Sequence, residues 1–293
     1  MSQAADPAKT ISFQGHLGAY SHLACLEAYP ELQPLPCDAF EEAFAAVEDG
    51  RAALAMIPIE NSLAGRVADI HHLMPASGLS IVAEHFQRVV HCLLAPEGAT
   101  IETLRTVHSH IHALSQCRRM IRELGLTAVT GADTAGAAAQ IAARGDPGEA
   151  VIASRLAADI YGLEVLREGV EDAEHNTTRF IVLAREAADP DPAAGPVMTS
   201  FVFRVRNVPA ALYKVLGGFA TNGVNMTKLE SYMLDGTFTA TQFYADIEGH
   251  PAADSVRFAL EELGFFSRFV KILGVYPAHP FRYADARMRG ART

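Results

Sequence analysis

Four short segments of this 293-residue chain gather side chains able to grip or protonate an oxygen-rich substrate. IPIENS sets Glu60, Asn61 and Ser62 at the end of an apolar run, where a strand would open into a cleft. EDAEHNTTRF concentrates Asp172, Asn176, Thr177, Thr178 and Arg179 ahead of another apolar run, and two hydroxyls, an amide and a guanidinium suit recognition of a carboxylate. HSHIHALSQC carries Ser109 and Gln116 around three alternating histidines, His108, His110 and His112. In an extended strand those rings would align as metal ligands. No Asp, Glu or Cys lies within HSHIH, however, and the residues after it start a helix that ends the alternation. His71-His72 is a weaker candidate, since neighbouring positions diverge. Gly15 and Gly18 in FQGHLGAYSH make a turn before a helix near Ser21, and such a turn can present backbone N–H groups to an anion. Each segment also has a plainer reading: a helix cap at Asn61 or Ser62, a turn with a solvated Arg179, a simple strand-to-helix connection at Gly15.

Charge narrows the classes of partner. The 24 Lys and Arg against 34 Asp and Glu leave a net charge of −10, so neither nucleic acid nor an anionic membrane is expected to bind. No GxGxxG or P-loop pattern occurs, so no nucleotide cofactor is expected. The four cysteines, Cys25, Cys37, Cys92 and Cys117, form no CxxC pair and read as buried thiols, with no metal site among them. The start of the chain has no basic segment followed by an apolar run, and no later stretch approaches the roughly 18 apolar residues of a membrane span. The expected location is the cytoplasm.

The elements that must hold these segments follow from patterning. Before a Pro/Asp/Ala-rich break at 185–196, strand-like runs (ISFQG, AALAMIPIE, a pair at LSIVAEHF and VVHCLLAP, TAVTG, AVIAS, TRFIVLAR) alternate with helical ones. The helices are predicted at Ser21 to Tyr29, Leu114 to Leu124, Thr134 to Ala143, and up to Tyr161. Such alternation predicts α/β layers with functional loops at the carboxyl ends of strands. After the break the order is βαββαβ, a ferredoxin-like α+β unit. Pro209 and Pro251 are expected at helix starts, Asp235-Gly236 at a hairpin turn, and the chain beyond Pro277 as a loosely ordered tail.

Taken together, GxxGAYSHLAC, IPIENSLAGRV, SHIHALSQC, DTAGAAAQIA, and YGL followed by DAEHNTTRF resemble, in order and spacing, the prephenate dehydratases. PAALYKVLGGFATNGVNMTKLES resembles the ACT regulatory domain of that family. The resemblance spans roughly residues 11–282. It implies a two-lobed α/β catalytic domain of the type II periplasmic-binding-protein kind at 10–185, a linker at 186–197, an ACT domain at 198–282 and a tail at 283–293. The implied reaction converts prephenate to phenylpyruvate, water and carbon dioxide in phenylalanine biosynthesis, without a cofactor. The implied catalytic residues are Asn61, Ser109, Gln116 and Thr178, with Ser21, Glu60, Ser62, Thr177 and Arg179 assisting substrate binding. Thr178 is assigned to the leaving hydroxyl, with Glu60 and His110 as other possible proton sources.

The resemblance further implies a phenylalanine effector site at Pro209, Ala210, Ala211, Leu212, Asn222, Asn225, Glu230 and Ser231, and a homodimer or homotetramer joined partly through the ACT domain. The family's SHPQAL reads SHIHAL here, its PGAL reads PAAL, and its ESRP reads ESYM. The two latter departures add a Cβ at Ala210 and remove an arginine and a proline after Ser231, so altered phenylalanine affinity is expected. Two other readings remain open: an arogenate dehydratase, and a non-catalytic amino-acid sensor.

Overall fold

The computed structural model describes residues 6–67, 70–206, 208–233 and 240–284, without the side chains of His71, Ala240 and Thr241. The chain divides into two compact units, Met1–Val67 with His85–Phe180, and Ala68–Glu84 with Ile181–Thr293.

The first unit opens with β1 (Thr10–Gln14), α1 (Tyr20–Ala28), β2 (Gln33–Cys37), α2 (Phe40–Glu48) and β3 (Leu54–Asn61). β1 lies between β2 and β3 and pairs with both in parallel. Parallel strands are covered on both faces, which is why ISF and LAMIPI read as continuous apolar runs; Ile11, Phe13, Met56, Ile57 and Ile59 are fully buried. β4 (Gly65–Arg66) folds back on the end of β3, pairing Glu60 with Arg66 and Asn61 with Gly65. Gly65 sits at φ +83°, a backbone conformation that a side chain would strain.

After α3 (Ile70–Ala76) and β5 (Ser80–Arg88) come β6 (Cys92–Ala95), β7 (Thr106–His110), α4 (Ile111–Gln116), α5 (Arg118–Glu123), β8 (Thr127–Gly131), α6 (Thr134–Arg144), β9 (Glu149–Ala153), α7 (Arg155–Tyr161) and β10 (Glu164–Glu168). The strands from β6 onward form a separate sheet of the same unit, in the order β10-β6-β9-β7-β8. Its helices carry ordinary stop and start signals. Asp133 accepts from the Gly136 N–H and Ser154 from the Ala157 N–H, at 2.6 and 3.1 Å, while Gly145 and Gly162 close α6 and α7 in the left-handed conformation.

The second unit gathers α3, the first half of β5 and the second half of β11 (Thr177–Ala184) with β12 (Val197–Val205), α8 (Ala211–Thr221), β13 (Met226–Met233), β14 (Ala240–Glu248), α9 (Asp254–Phe266) and β15 (Ser267–Pro277). The strands from β12 run in the order β13-β14-β12-β15, the antiparallel arrangement of a ferredoxin-like βαββαβ unit. Alternate residues Phe201, Phe203, Phe243, Ala245 and Ile247 face the helices and pack with Val215, Phe219, Ala259 and Leu263.

The structure departs from the expectations in identifiable places. LSIVAEHF and VVHCLLAP form β5 and β6, which belong to different sheets and do not pair. The helix expected from Leu114 is two short ones broken at Cys117. Pro209 precedes the cap residue Ala210 instead of opening α8, and Pro251 precedes α9 by three residues. Residues 68–84 and 181–184 cluster with the C-terminal unit, because β15 pairs with β5 at Gly274 and Ile81, and Lys271 Nζ donates to the carbonyls of Pro75 and Ser77. The chain past Pro277 is not loose as far as Ala284. Residues Pro280–Tyr283 form a 3-10 turn, and the Arg282 guanidinium grips both oxygens of the fully buried Glu84 carboxylate at 2.6 and 2.7 Å. Asp235-Gly236 and the chain after Ala284 lie outside the described residues.

Candidate active site

The site grows from the carboxyl end of β3. There the chain turns, and Asn61 Oδ1 accepts the N–H groups of Leu63 and Ala64 at 2.9 and 2.8 Å. A backbone N–H can only donate, so this turn fixes which way the Asn61 amide points, and both Nδ2 hydrogens are directed away from it. They go to Asn176 Oδ1 at 2.8 Å and to Thr178 Oγ1 at 2.9 Å. Asn176, completely buried, passes the connection on through Nδ2 to Gln116 Oε1 at 2.9 Å. No helix follows Asn61, so the helix-cap reading is not met: the side chain closes the turn between β3 and β4 and, from the same amide, joins the polar network.

Thr178 accepts from Asn61, so its own proton is free to be donated elsewhere, and no acceptor for it stands among the described residues. Neighbouring groups clasp the two segments together. Ser62 N–H donates to Thr177 O at 2.9 Å, Ser62 Oγ to His175 O at 2.8 Å, and Thr177 N–H to Ser62 Oγ at 3.0 Å. Arg179, 4% exposed, donates to Glu60 Oε1 at 3.0 Å. The Asp172 carboxylate accepts the Arg118 and Arg119 N–H groups, both at 3.1 Å, capping α5 from a distant part of the chain. Gln116 and Asp172 line a cavity of about 340 Å³ with Leu63, Ala64, His112 and Ser115. Two larger cavities, about 390 and 450 Å³, contain none of the Asn61, Gln116 and Thr178 group, so chemistry rather than size selects the smaller one.

Other candidates are placed elsewhere. Ser109 is completely buried on β7 and donates to Ile152 O at 2.6 Å, a bond between β7 and β9 rather than toward Asn61. Ser21, buried in the first turn of α1, bonds to none of these groups. The strand β7 ends at His110, so His112 stands on α4 and the three rings do not align. Among the described residues no cluster of three or more metal-ligating side chains occurs. His110 is held below its ordinary pKa by burial and by His112, against the opposing pull of Asp133. All four cysteines are buried. Burial pushes the thiols of Cys37 and Cys92 up to about 11 and those of Cys25 and Cys117 further, which makes them inert at neutral pH.

Two residues outside the predicted set complete the network. His91 Nε2 lies 2.9 Å from Gln116 Oε1, and Tyr20 Oη lies 2.9 Å from His91 Nδ1 and 2.8 Å from Val90 O. His91 sits in the apolar stretch VVHCLLAP, where no spacing marks it, and Tyr20 lies inside GAYSHLAC without having been singled out there. Asn176 stood in the polar cluster read for carboxylate recognition, but its central place could not be seen from that position.

Comparison with known proteins decides the family. The prephenate dehydratase family model matches residues 11–188. The chain belongs to the prephenate dehydratase family. A bifunctional N-acyl-homoserine lactone acylase/prephenate dehydratase of Komagataeibacter europaeus is 56% identical over 94% of this chain and 98% of its own length. An arogenate dehydratase/prephenate dehydratase of Arabidopsis thaliana is 39% identical over 91% of this chain and 71% of its own length. Among solved structures, the Arthrobacter aurescens prephenate dehydratase in complex with L-Phe superposes with a TM-score of 0.83 at 30% identity, covering 97% of each chain. A protein described as a novel type of quorum quenching acylase superposes at 0.87 and 57% identity, over 93% of this chain and 99% of that one. The chain is thus an enzyme of the prephenate dehydratase kind, and the reading as a non-catalytic sensor falls.

In this family member the predicted effector residues lie in the second unit and are separately engaged. Ala210 is the one non-glycine residue at positive φ among the described residues, at +63°, capping α8. Its Cβ therefore sits on strained backbone. Pro209 is exposed, Ala211 is buried and Leu212 packs against the core. Asn222 Nδ2 donates to Gly218 O and Glu262 Oε1, Asn225 Nδ2 to Glu248 Oε2, and Glu230 accepts from Lys228 and Tyr232. Glu230 and Ser231, adjacent on β13, face opposite sides of the sheet.

Proposed function

We propose that the chain catalyses the decarboxylating dehydration of prephenate to phenylpyruvate. The observation that carries this reading is the Asn61 to Thr178 hydrogen bond of 2.9 Å, which leaves the Thr178 proton as an outward donor. Prephenate loses its ring carboxylate as carbon dioxide; the electron pair of that C–C bond enters the ring, and the C–O bond opposite breaks to leave hydroxide. Hydroxide is a poor leaving group unless a donor stabilises it as the bond breaks. Thr178 is too weak an acid to deliver a proton beforehand, so it acts as the hydrogen-bond donor to the departing oxygen, and solvent supplies the proton that completes water. Gln116, whose Oε1 is already occupied, offers its Nε2 hydrogens to an oxygen of the substrate. The Arg179 and Glu60 pair and the Ser62 clasp hold Asn61 and Thr178 in register. Ser109 supports β7 rather than touching substrate.

Residues 198–282 of the second unit are the ACT domain on this reading, and phenylalanine is its effector. Its strand order and the likeness to the L-Phe-bound relative support this. An effector shifts activity only by binding the two functional states unequally. Arogenate differs from prephenate by an amino group in place of a keto oxygen, and the Arabidopsis relative's name carries both substrates.

A second activity is raised by the relative at 56% identity, which is named as an N-acyl-homoserine lactone acylase as well. Amide hydrolysis requires an activated water or nucleophile. The exposed His16 imidazole, its Nδ1 2.8 Å from Asp133 Oδ2, has the chemistry to activate water. One panel separates the readings: purified protein assayed for phenylpyruvate from prephenate, phenylalanine from arogenate, and homoserine lactone from its N-acyl derivative, each with and without phenylalanine. Absence of phenylpyruvate formation would reject the first reading. The ratio of kcat/KM for prephenate and arogenate assigns the substrate.

A further inference from the structure

The polar chain at the site has a direction, and following it reaches two residues outside the predicted site set. It starts at the Leu63 and Ala64 N–H groups, which make Asn61 Oδ1 an acceptor. Asn61 Nδ2 must then donate, Asn176 Oδ1 must accept, and Asn176 Nδ2 must donate to Gln116 Oε1. His91 Nε2, 2.9 Å from that same oxygen, must therefore carry a hydrogen. With Nε2 protonated, a neutral His91 has its lone pair on Nδ1, and the single hydrogen of Tyr20 Oη faces both that lone pair, 2.9 Å away, and Val90 O, 2.8 Å away. Were His91 charged, Nδ1–H would donate to Tyr20 Oη and the phenol would turn its proton to Val90 O, 2.8 Å away. Either way Nε2 keeps its hydrogen.

We propose that His91, held in the Nε2–H form, is a positioning residue that fixes the Gln116 amide so that its Nε2 faces the substrate. Two donors, from His91 and Asn176, converge on Gln116 Oε1 and pin the carbonyl away from the cavity that Gln116 lines. A reversed amide would set its oxygen against a substrate carboxylate and repel it. His91 is 2% exposed, so it acts through Gln116 and does not touch substrate. Burial keeps its imidazole below the ordinary range despite the Gln116 hydrogen bond and Glu171, whose Oε2 accepts the His91 backbone N–H at 2.9 Å. The neutral form is therefore the resident one.

This inference rests on the prephenate dehydratase reading for its kinetic consequence, but its structural half can be judged alone. Nitrogen-15 NMR of the imidazoles, with His91 identified by comparison with His91→Gln, is expected to show Nε2–H and a bare Nδ1. A bare Nε2 would overturn the proposal whatever the enzyme turns over. Kinetically, His91→Leu removes the donor but not the one from Asn176, so KM for prephenate is expected to rise about tenfold with a smaller change in kcat. His91→Gln places an amide N–H where Nε2 stood and an acceptor toward Tyr20, and KM is expected to stay within about threefold of the native value. Tyr20→Phe should fall between the two. Equal KM values for His91→Leu and His91→Gln would assign His91 to packing alone. A native protein inert on prephenate that still shows Nε2–H would reject the function while leaving the positioning intact.

Discussion

The two units of the chain treat their asparagines in opposite ways. In the first, Asn61, Asn176 and Gln116 bond to one another across separations of 115 and 60 positions, and each side chain has its orientation set by the next. In the second, Asn222 and Asn225 each end on their own acceptors, Gly218 O with Glu262 and Glu248 respectively, and no bond among the described residues joins one to the other. A linked network passes a disturbance from member to member, whereas separate anchors do not. The first arrangement suits a site whose donors must be aimed before substrate arrives. The second suits a fold whose polar groups are satisfied locally.

The largest expected effect sits at the end of the linked chain. Thr178→Val keeps the shape of the side chain and removes the donor, and kcat for prephenate is expected to fall about 10² to 10⁴-fold with a smaller change in KM. A variant with near-native kcat would remove Thr178 from the reaction. Ser109→Ala provides the contrast within the same unit. Losing its bond to Ile152 O should cost about 1 kcal/mol of stability while leaving kcat within about threefold. A loss as large as that of Thr178→Val would restore Ser109 to the catalytic set.

Double-mutant cycles distinguish a linked network from separate anchors. Asn61→Ala with Gln116→Ala, read in kcat/KM, is expected to be non-additive by about 0.5 to 3 kcal/mol, since both act through Asn176. Asn222→Ala with Asn225→Ala, read in unfolding free energy, should add to within about 0.5 kcal/mol. Additivity in the first pair would mean that the hydrogen-bonded chain carries no coupling.

How far the sequence reaches follows from the same distinction. Strand and helix periods located β1, β3, α6, β9 and the βαββαβ order, because each reports a face buried against its neighbours. QPLPC gave no such signal. It became β2, an edge strand that among the described residues pairs with β1 alone, where prolines are tolerated and alternation is weak. FEEAFAAVE folds as α2, a nine-residue helix lying between strand-like runs, although no helix is expected there. α3, with Pro75 inside it, lacks a helix signature altogether. At the site, the motif residues Asn61, Gln116 and Thr178 were legible, as were Glu60 and Arg179. His91 was not, since a polar atom in an apolar run announces burial but not its partner, and Tyr20, though inside GAYSHLAC, carries no sign there of the histidine 71 positions away. Ser109 shows the converse: its place in a motif marked it, and only the fold reveals that its hydroxyl serves a neighbouring strand.

In the second unit the sharpest test is backbone strain. Ala210 holds φ +63° on the surface, a conformation that costs a residue with a Cβ about 1–2 kcal/mol and costs glycine almost nothing. Ala210→Gly gives back part of that through the greater freedom of the unfolded chain, so a net gain of up to about 1 kcal/mol is expected. Its exposure means that few contacts are lost. An unchanged or lower melting temperature would show that the left-handed turn is not the resident conformation.

The smallest expected effect returns to the first unit. His22, His91, His108 and His110 are all held below the ordinary histidine pKa, in each case chiefly by burial. In the unfolded chain they take up protons as pH falls through about 6.5, while the folded protein keeps them neutral to lower pH. The unfolded state then binds more protons, so stability is full above that value and declines as pH drops toward the depressed folded values. Urea unfolding at about pH 7.5 and 5.5 should show this loss. His91→Gln, which cannot take a proton, should lose less over the same interval, because one of the four contributors has been removed. An identical loss in the variant would mean that His91 is already charged in the folded protein, with Tyr20 turned toward Val90 O.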